Sequence, residues 1–333
     1  MANYLLLGAG FSRNWGGWLA SEAFEYLLGC DEIIENQYLK TLLWRHQSNG
    51  GFENALAELQ SQRNADPATY DDLLMRLQNA VTQMFDDMNK GFMRITDWEP
   101  SKSVDRKISP FLSRFDAIFT LNQDVFLEHF YVKNFPLTGP LKWSGPHLPG
   151  MRHNAYQSDD PRMNGSWALP TWYPSENVSD FQVERGCQPI FKLHGSSNWR
   201  NRGNDPMLIM GGGKANEISK IPILKWYAQE FDSRLQADSS RLMVIGYGFR
   251  DDHINTAISK AVEKGLKLFV IAPDGAEMAH RLNPTRSPGQ IMMRTALEDW
   301  LEVALVGASR RQLSEIFSDD SIEFDKVMRF FES

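Results

Sequence analysis

The sequence predicts an α/β fold, a doubly wound parallel sheet with a large helical insertion and a helical C-terminal tail. Three observations lead there. Six short apolar runs recur along the 333 residues with helical stretches between them, the alternation expected of strand–helix–strand units. Four of the runs end in glycines or polar clusters, which right-handed crossovers would bring to one rim of the sheet. Between the first run and the second, about 100 residues carry only the three-and-four spacing of helices.

Tyr4 to Leu7 is uncharged and runs straight into Gly8-Ala9-Gly10-Phe11-Ser12, so it reads as a buried strand entering a glycine turn. Without β-carbons, Gly8 and Gly10 would let main-chain N–H groups approach a phosphate, helped by the positive end of the next helix. The same turn would also serve as a plain strand-to-helix connection. The dinucleotide fingerprint fails at its third glycine, where Arg13 stands, and no acidic residue closes a second strand about 20 residues on. A conventional dehydrogenase is therefore disfavoured.

From about 19 to 115 the pattern is helical, clearest where Leu73, Leu77, Val81, Met84 and Phe85 recur and Pro67 marks a start. This insertion would cover one side of the sheet, or act as a lid or subunit contact. Asp116 to Thr120 is the second strand, followed by Leu121-Asn122-Gln123-Asp124. That places polar groups at the carboxyl end of a strand, where open α/β sheets bind ligands, although Asn122 and Asp124 would equally cap a helix.

Residues 135–186 hold seven prolines and three tryptophans, Trp143, Trp167 and Trp172, with no period. They read as a long ordered loop with short strands, either a surface excursion or a cover over substrate. Pro189 to Leu193 is the third strand and ends in His194-Gly195-Ser196. Met207 to Met210 is the fourth, stopped by Gly211, Gly212 and Gly213. Lys214 is followed by Ala215, so the glycines make no Walker A motif. Leu242 to Ile245 is the fifth strand and enters Gly246-Tyr247-Gly248-Phe249-Arg250-Asp251-Asp252-His253-Ile254-Asn255, in which Asp251 or Asp252 would cap a helix. Leu266 to Ile271, closed by Ala272, is the sixth, and from Leu297 amphipathic helix dominates. The architecture expected is Rossmann-like.

A net charge of −7 argues against broad binding to nucleic-acid phosphates. The two cysteines, Cys30 and Cys187, form neither a zinc ribbon nor a disulfide framework, which fits a reducing cytoplasm. With no leader after Met1 and no apolar run of membrane length, a cytoplasmic protein without a membrane partner is expected.

Gly8-Ala9-Gly10-Phe11-Ser12, Thr120-Leu121-Asn122-Gln123-Asp124, Leu193-His194-Gly195 and Gly246 to Asn255 together resemble the sirtuin (SIR2-like) superfamily, in the family's order. The resemblance implies an NAD-binding domain over 1–290, a helical tail over 291–333, and NAD as substrate. It implies that Asn122 orients the ribose and attacking water, that Asp124 holds the nicotinamide carboxamide, and that His194 is the general base. Gly8, Ala9, Gly10, Phe11 and Ser12 would cradle the pyrophosphate. Thr120 would join Asn122 and Asp124 in binding, and Gly246, Tyr247, Gly248 and Ala272 would line the adenosine half. An imidazole of ordinary pKa, about 6.5, suits a general base at neutral pH.

Protein-deacylating sirtuins carry a four-cysteine zinc module after the catalytic histidine, whereas Ser196 to Pro206 contains no cysteine. No metal is expected. The branch then resembled comprises bacterial antiphage effectors, implying an NAD glycohydrolase that releases nicotinamide and ADP-ribose and depletes NAD. Such an enzyme would need gating by homo-oligomerisation, a signalling ligand or a companion sensor protein encoded nearby. The alternatives are an NAD-dependent deacylase, disfavoured by the missing cysteines, and a non-catalytic NAD or ADP-ribose sensor.

Overall fold

In the computed structural model, which describes residues 1–48, 50–133, 142–153, 170–280, 296–318 and 320–332, a seven-stranded sheet organises the chain. The strands are β1 (Ala2–Leu7), β2 (Ala117–Thr120), β3 (Gly145–His147), β4 (Met151–His153), β5 (Trp172–Pro174), β6 (Cys187–Lys192), β7 (Gly195–Arg200), β8 (Pro206–Leu208), β9 (Ser240–Ile245), β10 (Lys267–Ile271) and β11 (Leu305–Ser309). The large sheet runs β11-β10-β9-β1-β2-β6-β3, and every pairing in it is parallel. A smaller sheet has the order β4-β5-β7-β8. Strands buried on both faces should read as unbroken apolar runs. Accordingly Leu5, Leu6, Leu7, Ala117, Ile118 and Phe119 are all fully buried.

The helices are α1 (Ala9–Arg13), α2 (Ala20–Leu28), α3 (Asp31–Ile34), α4 (Gln37–His46), α5 (Gly51–Ala65), α6 (Pro67–Phe92), α7 (Ile108–Leu112), α8 (Lys214–Lys220), α9 (Pro222–Leu235), α10 (Asp252–Glu263), α11 (Ala296–Ala304), α12 (Leu313–Phe317) and α13 (Ser321–Met328). α1 to α7 all lie between β1 and β2, as the helical spacing requires. α6 opens with Pro67 in its first turn and the Asp66 carboxylate accepting the Thr69 N–H, the arrangement a missing proline N–H favours. Its apolar stripe buries Leu77, Val81, Met84, Phe85, Met88 and Phe92. Asn89, on the same buried face, donates from Nδ2 to Ser197 Oγ at 2.9 Å and accepts the Val125 N–H at 3.1 Å. The insertion thus grips the turn after β2 directly.

From β1 the chain proceeds outward to β2 and β6, whereas β9 leads to β10 and β11 on the other side. The strand order reverses between β1 and β9, and a crevice at such a switch point is where doubly wound sheets take ligands.

Two expectations need correction. The run at 207–210 does not enter the central sheet: the chain doubles back after His194, and β8 pairs antiparallel with β7. Gly195 makes the reversal at φ +74, where a Cβ would collide with the Met207 carbonyl oxygen. The tail is not only helix, since β11 adds a parallel edge strand beside β10. Gly307 and Ala308 interrupt its apolar pattern, and Gly307 is needed because a Cβ there would stand 2.5 Å from the Phe269 ring. The proline-rich stretch holds short strands as expected, among them β3 at the sheet edge, where Pro146 is tolerated. Trp167 and the boundary at 290 lie outside the described residues. Among those residues, no helix is long and apolar enough to cross a membrane.

Candidate functional site

At the switch point the two glycine segments pack backbone against backbone. The Gly8 N–H donates to the Ile245 carbonyl at 3.0 Å and the Gly10 N–H to the Gly246 carbonyl at 2.9 Å. A Cβ on Gly8 would stand 2.6 Å from Gly246 O, one on Gly10 2.7 Å from Gly246 Cα, and Gly246 itself holds φ +66. Both segments therefore require glycine for their own contact, whatever they bind. Two amides expected for a pyrophosphate are engaged within the protein, and the solvent-exposed residue of the first turn is Ala9. Phe11 and Ser12 are buried behind it. Arg13 is exposed and paired with Glu22 at 2.7 Å.

The segment after β9 is stapled by its own side chains. The Tyr247 hydroxyl accepts the Asp251 N–H at 3.0 Å and lies 3.1 Å from Asn255 Oδ1, while Asn255 Nδ2 donates to the Phe249 carbonyl at 2.8 Å. Tyr247 is buried and Gly248 exposed. Ala272, buried at the end of β10, donates its N–H to Ser309 O of β11.

At the tip of β2, the Asn122 N–H donates to the Thr120 hydroxyl and its Nδ2 to Ser12 Oγ, both at 3.0 Å. Its Oδ1 is buried with no hydrogen-bond partner. The buried Asp124 carboxylate accepts the Phe126 N–H at 2.9 Å. Burial pushes this carboxyl up, opposed by the Lys192 ammonium, the Phe126 N–H and the Ser12 hydroxyl. Lys192, fully buried on β6, donates from Nζ to Asp124 O at 2.5 Å and to Glu128 Oε1 at 2.7 Å. Burial also raises the Glu128 carboxyl against the pull of Lys192. Glu128 begins a single π-helical turn, Glu128–Val132, in which the Lys133 N–H reaches back to Glu128 O at 3.0 Å. Such widened turns recur at functional sites.

At the tip of β6, His194 Nε2 lies 3.1 Å from His253 Nε2. The expectation of an ordinary imidazole pKa does not hold. Burial at 3% exposure, with Lys214 and His253 nearby, lowers His194 to about 3, and only Asp251 pulls the other way. Lys214 Nζ bridges Glu53 Oε2 at 2.7 Å and Asp251 Oδ1 at 2.8 Å. Burial works against its ammonium, but Glu53 and Asp251 outweigh that and raise its pKa. Burial likewise opposes ionisation of Asp251, yet His194 and Lys214 hold its carboxyl below the usual range.

Donor atoms of His194, Asp251 and His253 lie within 4.8 Å of one another, a set of types that would suit a divalent ion. Lys214 already neutralises Asp251, and the two ring nitrogens are bonded to each other. These residues are satisfied as a hydrogen-bonded charge network.

Asn122 and His194 each follow by two residues a register pair, Thr120 opposite Lys192, on adjacent parallel strands. The structure brings both to one rim with Ser12 and the segment after β9, but gives them separate partners, Ser12 and His253. Sequence reasoning missed Lys192, Glu128, Lys214 and Glu53, and gave His253 no role. A lone lysine inside the apolar run Pro189 to Leu193 was the signal for the first.

A family model described as SIR2-like domain matches residues 116–287, just over half of the chain. The match takes in the segments after β2, β6 and β9 and the proline-rich stretch, but not Gly8 to Ser12 or the helical insertion. A search of curated proteins finds no match. With three of the four resembling segments inside the matched region and on strand tips of one parallel sheet, the chain belongs to the SIR2-like domain family.

Proposed function

We propose that the chain is an NAD glycohydrolase that cleaves NAD to nicotinamide and ADP-ribose and serves as the NAD-depleting effector of a bacterial antiphage system. SIR2-like domains use NAD, which supports NAD as the substrate; the hydrolytic outcome is our reading. The observation that carries it is the pairing of a buried, unpartnered Asn122 Oδ1 with His194 at adjacent strand tips. A buried amide oxygen without a partner is costly and is expected to gain one when substrate enters. The nicotinamide–ribose bond has a cationic leaving group, so cleavage needs stabilisation of an oxocarbenium-like centre and a placed water more than a strong acid. Asn122 orients ribose and water, and His194 takes a proton from the water or a ribose hydroxyl. Asp124, fastened to the Phe126 N–H, shapes the turn that presents Asn122.

The segment after His194 supports hydrolysis over deacylation: it folds as β7 and β8 with Trp199 fully buried, in the place where deacylases carry zinc cysteines. Purified protein incubated with NAD, alone and with the product of the neighbouring gene, should release nicotinamide. His194→Ala and Asn122→Ala should each lower turnover at least 100-fold, the scale of a lost general base. Undiminished turnover in either variant would remove that residue from the site, and ADP-ribose transfer to an acyl-lysine peptide would favour deacylation.

A further inference from the structure

The base at residue 194 is not a lone imidazole. His194 and His253, the latter in the first turn of α10, meet through their Nε2 atoms at 3.1 Å with ring centroids 5.2 Å apart. Two neutral rings so placed share one proton between those nitrogens, one ring donating its Nε2–H and the other accepting. The accepting ring then carries its own proton at Nδ1. Only the donating ring keeps a free lone pair at Nδ1, so only the donor can work as a base from that atom.

The surroundings set the direction. His194 is 3% exposed, whereas His253 is only partly buried and has both Asp251 and Asp252 as electrostatic neighbours. Lys214 acts on both rings, and Asp251 on both. The less desolvated ring with the additional carboxylate is the better proton acceptor. His194 is therefore the donor.

We propose, on the basis of the hydrolase reading, that His253 is the positioning residue of the site: its Nε2 accepts the Nε2–H of His194 and so fixes the Nδ1 lone pair of His194 for the substrate. When the ribose hydroxyl or water is deprotonated, its O–H bond breaks, the electron pair stays on oxygen and the proton ends on His194 Nδ1. The resulting imidazolium is met by Asp251 and by its hydrogen bond to His253. A base held by a third group in this manner follows the logic of catalytic triads, built here from two histidines.

The test uses two variants of the full chain. In His253→Gln the side-chain carbonyl can still accept from Nε2–H; in His253→Phe the volume is kept and the acceptor is lost. We expect His253→Phe to lower kcat about tenfold or more with KM little changed, His253→Gln to stay within a few-fold of wild type, and both to bind ADP-ribose as wild type does. Nitrogen-15 spectra of the wild type at neutral pH should show His194 protonated at Nε2, a signature that His253→Phe removes. Wild-type kcat in His253→Phe, or a His194 proton at Nδ1 in the wild-type spectrum, would overturn the proposal. Should the wild type release no nicotinamide from NAD, the hydrolase reading fails while the spectrum still decides the tautomer. Should His253→Phe not fold, the wild-type spectrum decides alone.

Discussion

His194 shows how far burial moves a side chain from the value its type suggests. Its pKa is lowered to about 3, chiefly by burial and then by Lys214, against about 6.5 for an exposed imidazole. The sign of the consequence follows from proton counts. Between about pH 6.5 and about pH 3 the unfolded chain protonates this ring and the folded chain does not, so stability falls as the pH is lowered through that window and gains nothing above it. The slope from this ring is at most about 1.4 kcal/mol per pH unit, and His253, whose pKa burial also lowers, adds in the same sense. Urea unfolding at several pH values should show a gentler acid-side loss in His194→Gln than in the wild type. An identical slope would mean the ring is solvated in solution and the burial is not maintained.

Among the elements, the turn after β2 is held from two sides, by Asn89 of α6 and by Lys192 of β6. Removing one partner of a buried ion pair strands the other charge, at a cost of about 3–5 kcal/mol, whereas replacing both with apolar groups is close to neutral. Lys192→Met should therefore lower the thermal midpoint steeply. Adding Glu128→Leu should recover most of the loss, and equal instability of the double variant would show that the lysine acts through Asp124 O instead. This pair also marks the limit of what the sequence discloses. β1, β2, β6, β9 and β10 are legible because buried parallel strands are continuous apolar runs, and the helical insertion because its stripe keeps period. That Asn122 and His194 stand at strand tips is legible from the ends of the apolar runs, whereas the roles expected of them come from the family resemblance. β11 is not legible, and β3 only as one of the short strands expected somewhere in the proline-rich stretch, because an edge strand tolerates Gly307 or Pro146 and loses the apolar run. Glu128 is invisible in sequence because its partner lies 64 positions away, and no local pattern encodes that separation.

Across the whole molecule, the insertion and the rim of the candidate site are joined by one line of charge, Glu53 on α5, Lys214 at the start of α8, Asp251 before α10, and the two histidines. The glycines preceding Lys214 make the junction close. A Cβ on Gly211 would stand 2.6 Å from Gln60 Oε1, and one on Gly212 2.9 Å from Ala57 Cβ, both on α5. Gly211 and Gly212 therefore seat the loop on the insertion, while Gly213, with open space beside it, supplies the φ of +67 at which the chain enters α8. Lys214 lowers the pKa of both His194 and His253, Asp251 raises both, Asp252 raises His253, and His253 lowers His194. Lys214→Met removes a positive charge facing the pair, so the rings protonate more readily and the acid limb of the kcat/KM profile for NAD should move to higher pH. Asp251→Asn removes the opposing charge, and the limb should move to lower pH. Opposite displacements in two variants cannot come from a general loss of stability, which would depress the whole profile in the same sense for both. A change at Glu53 then reaches the histidines only through Lys214, so Glu53→Gln should move the limb less than Lys214→Met does. If Glu53→Gln leaves the profile unmoved while Lys214→Met shifts it, the insertion seats the loop without setting the charge of the base.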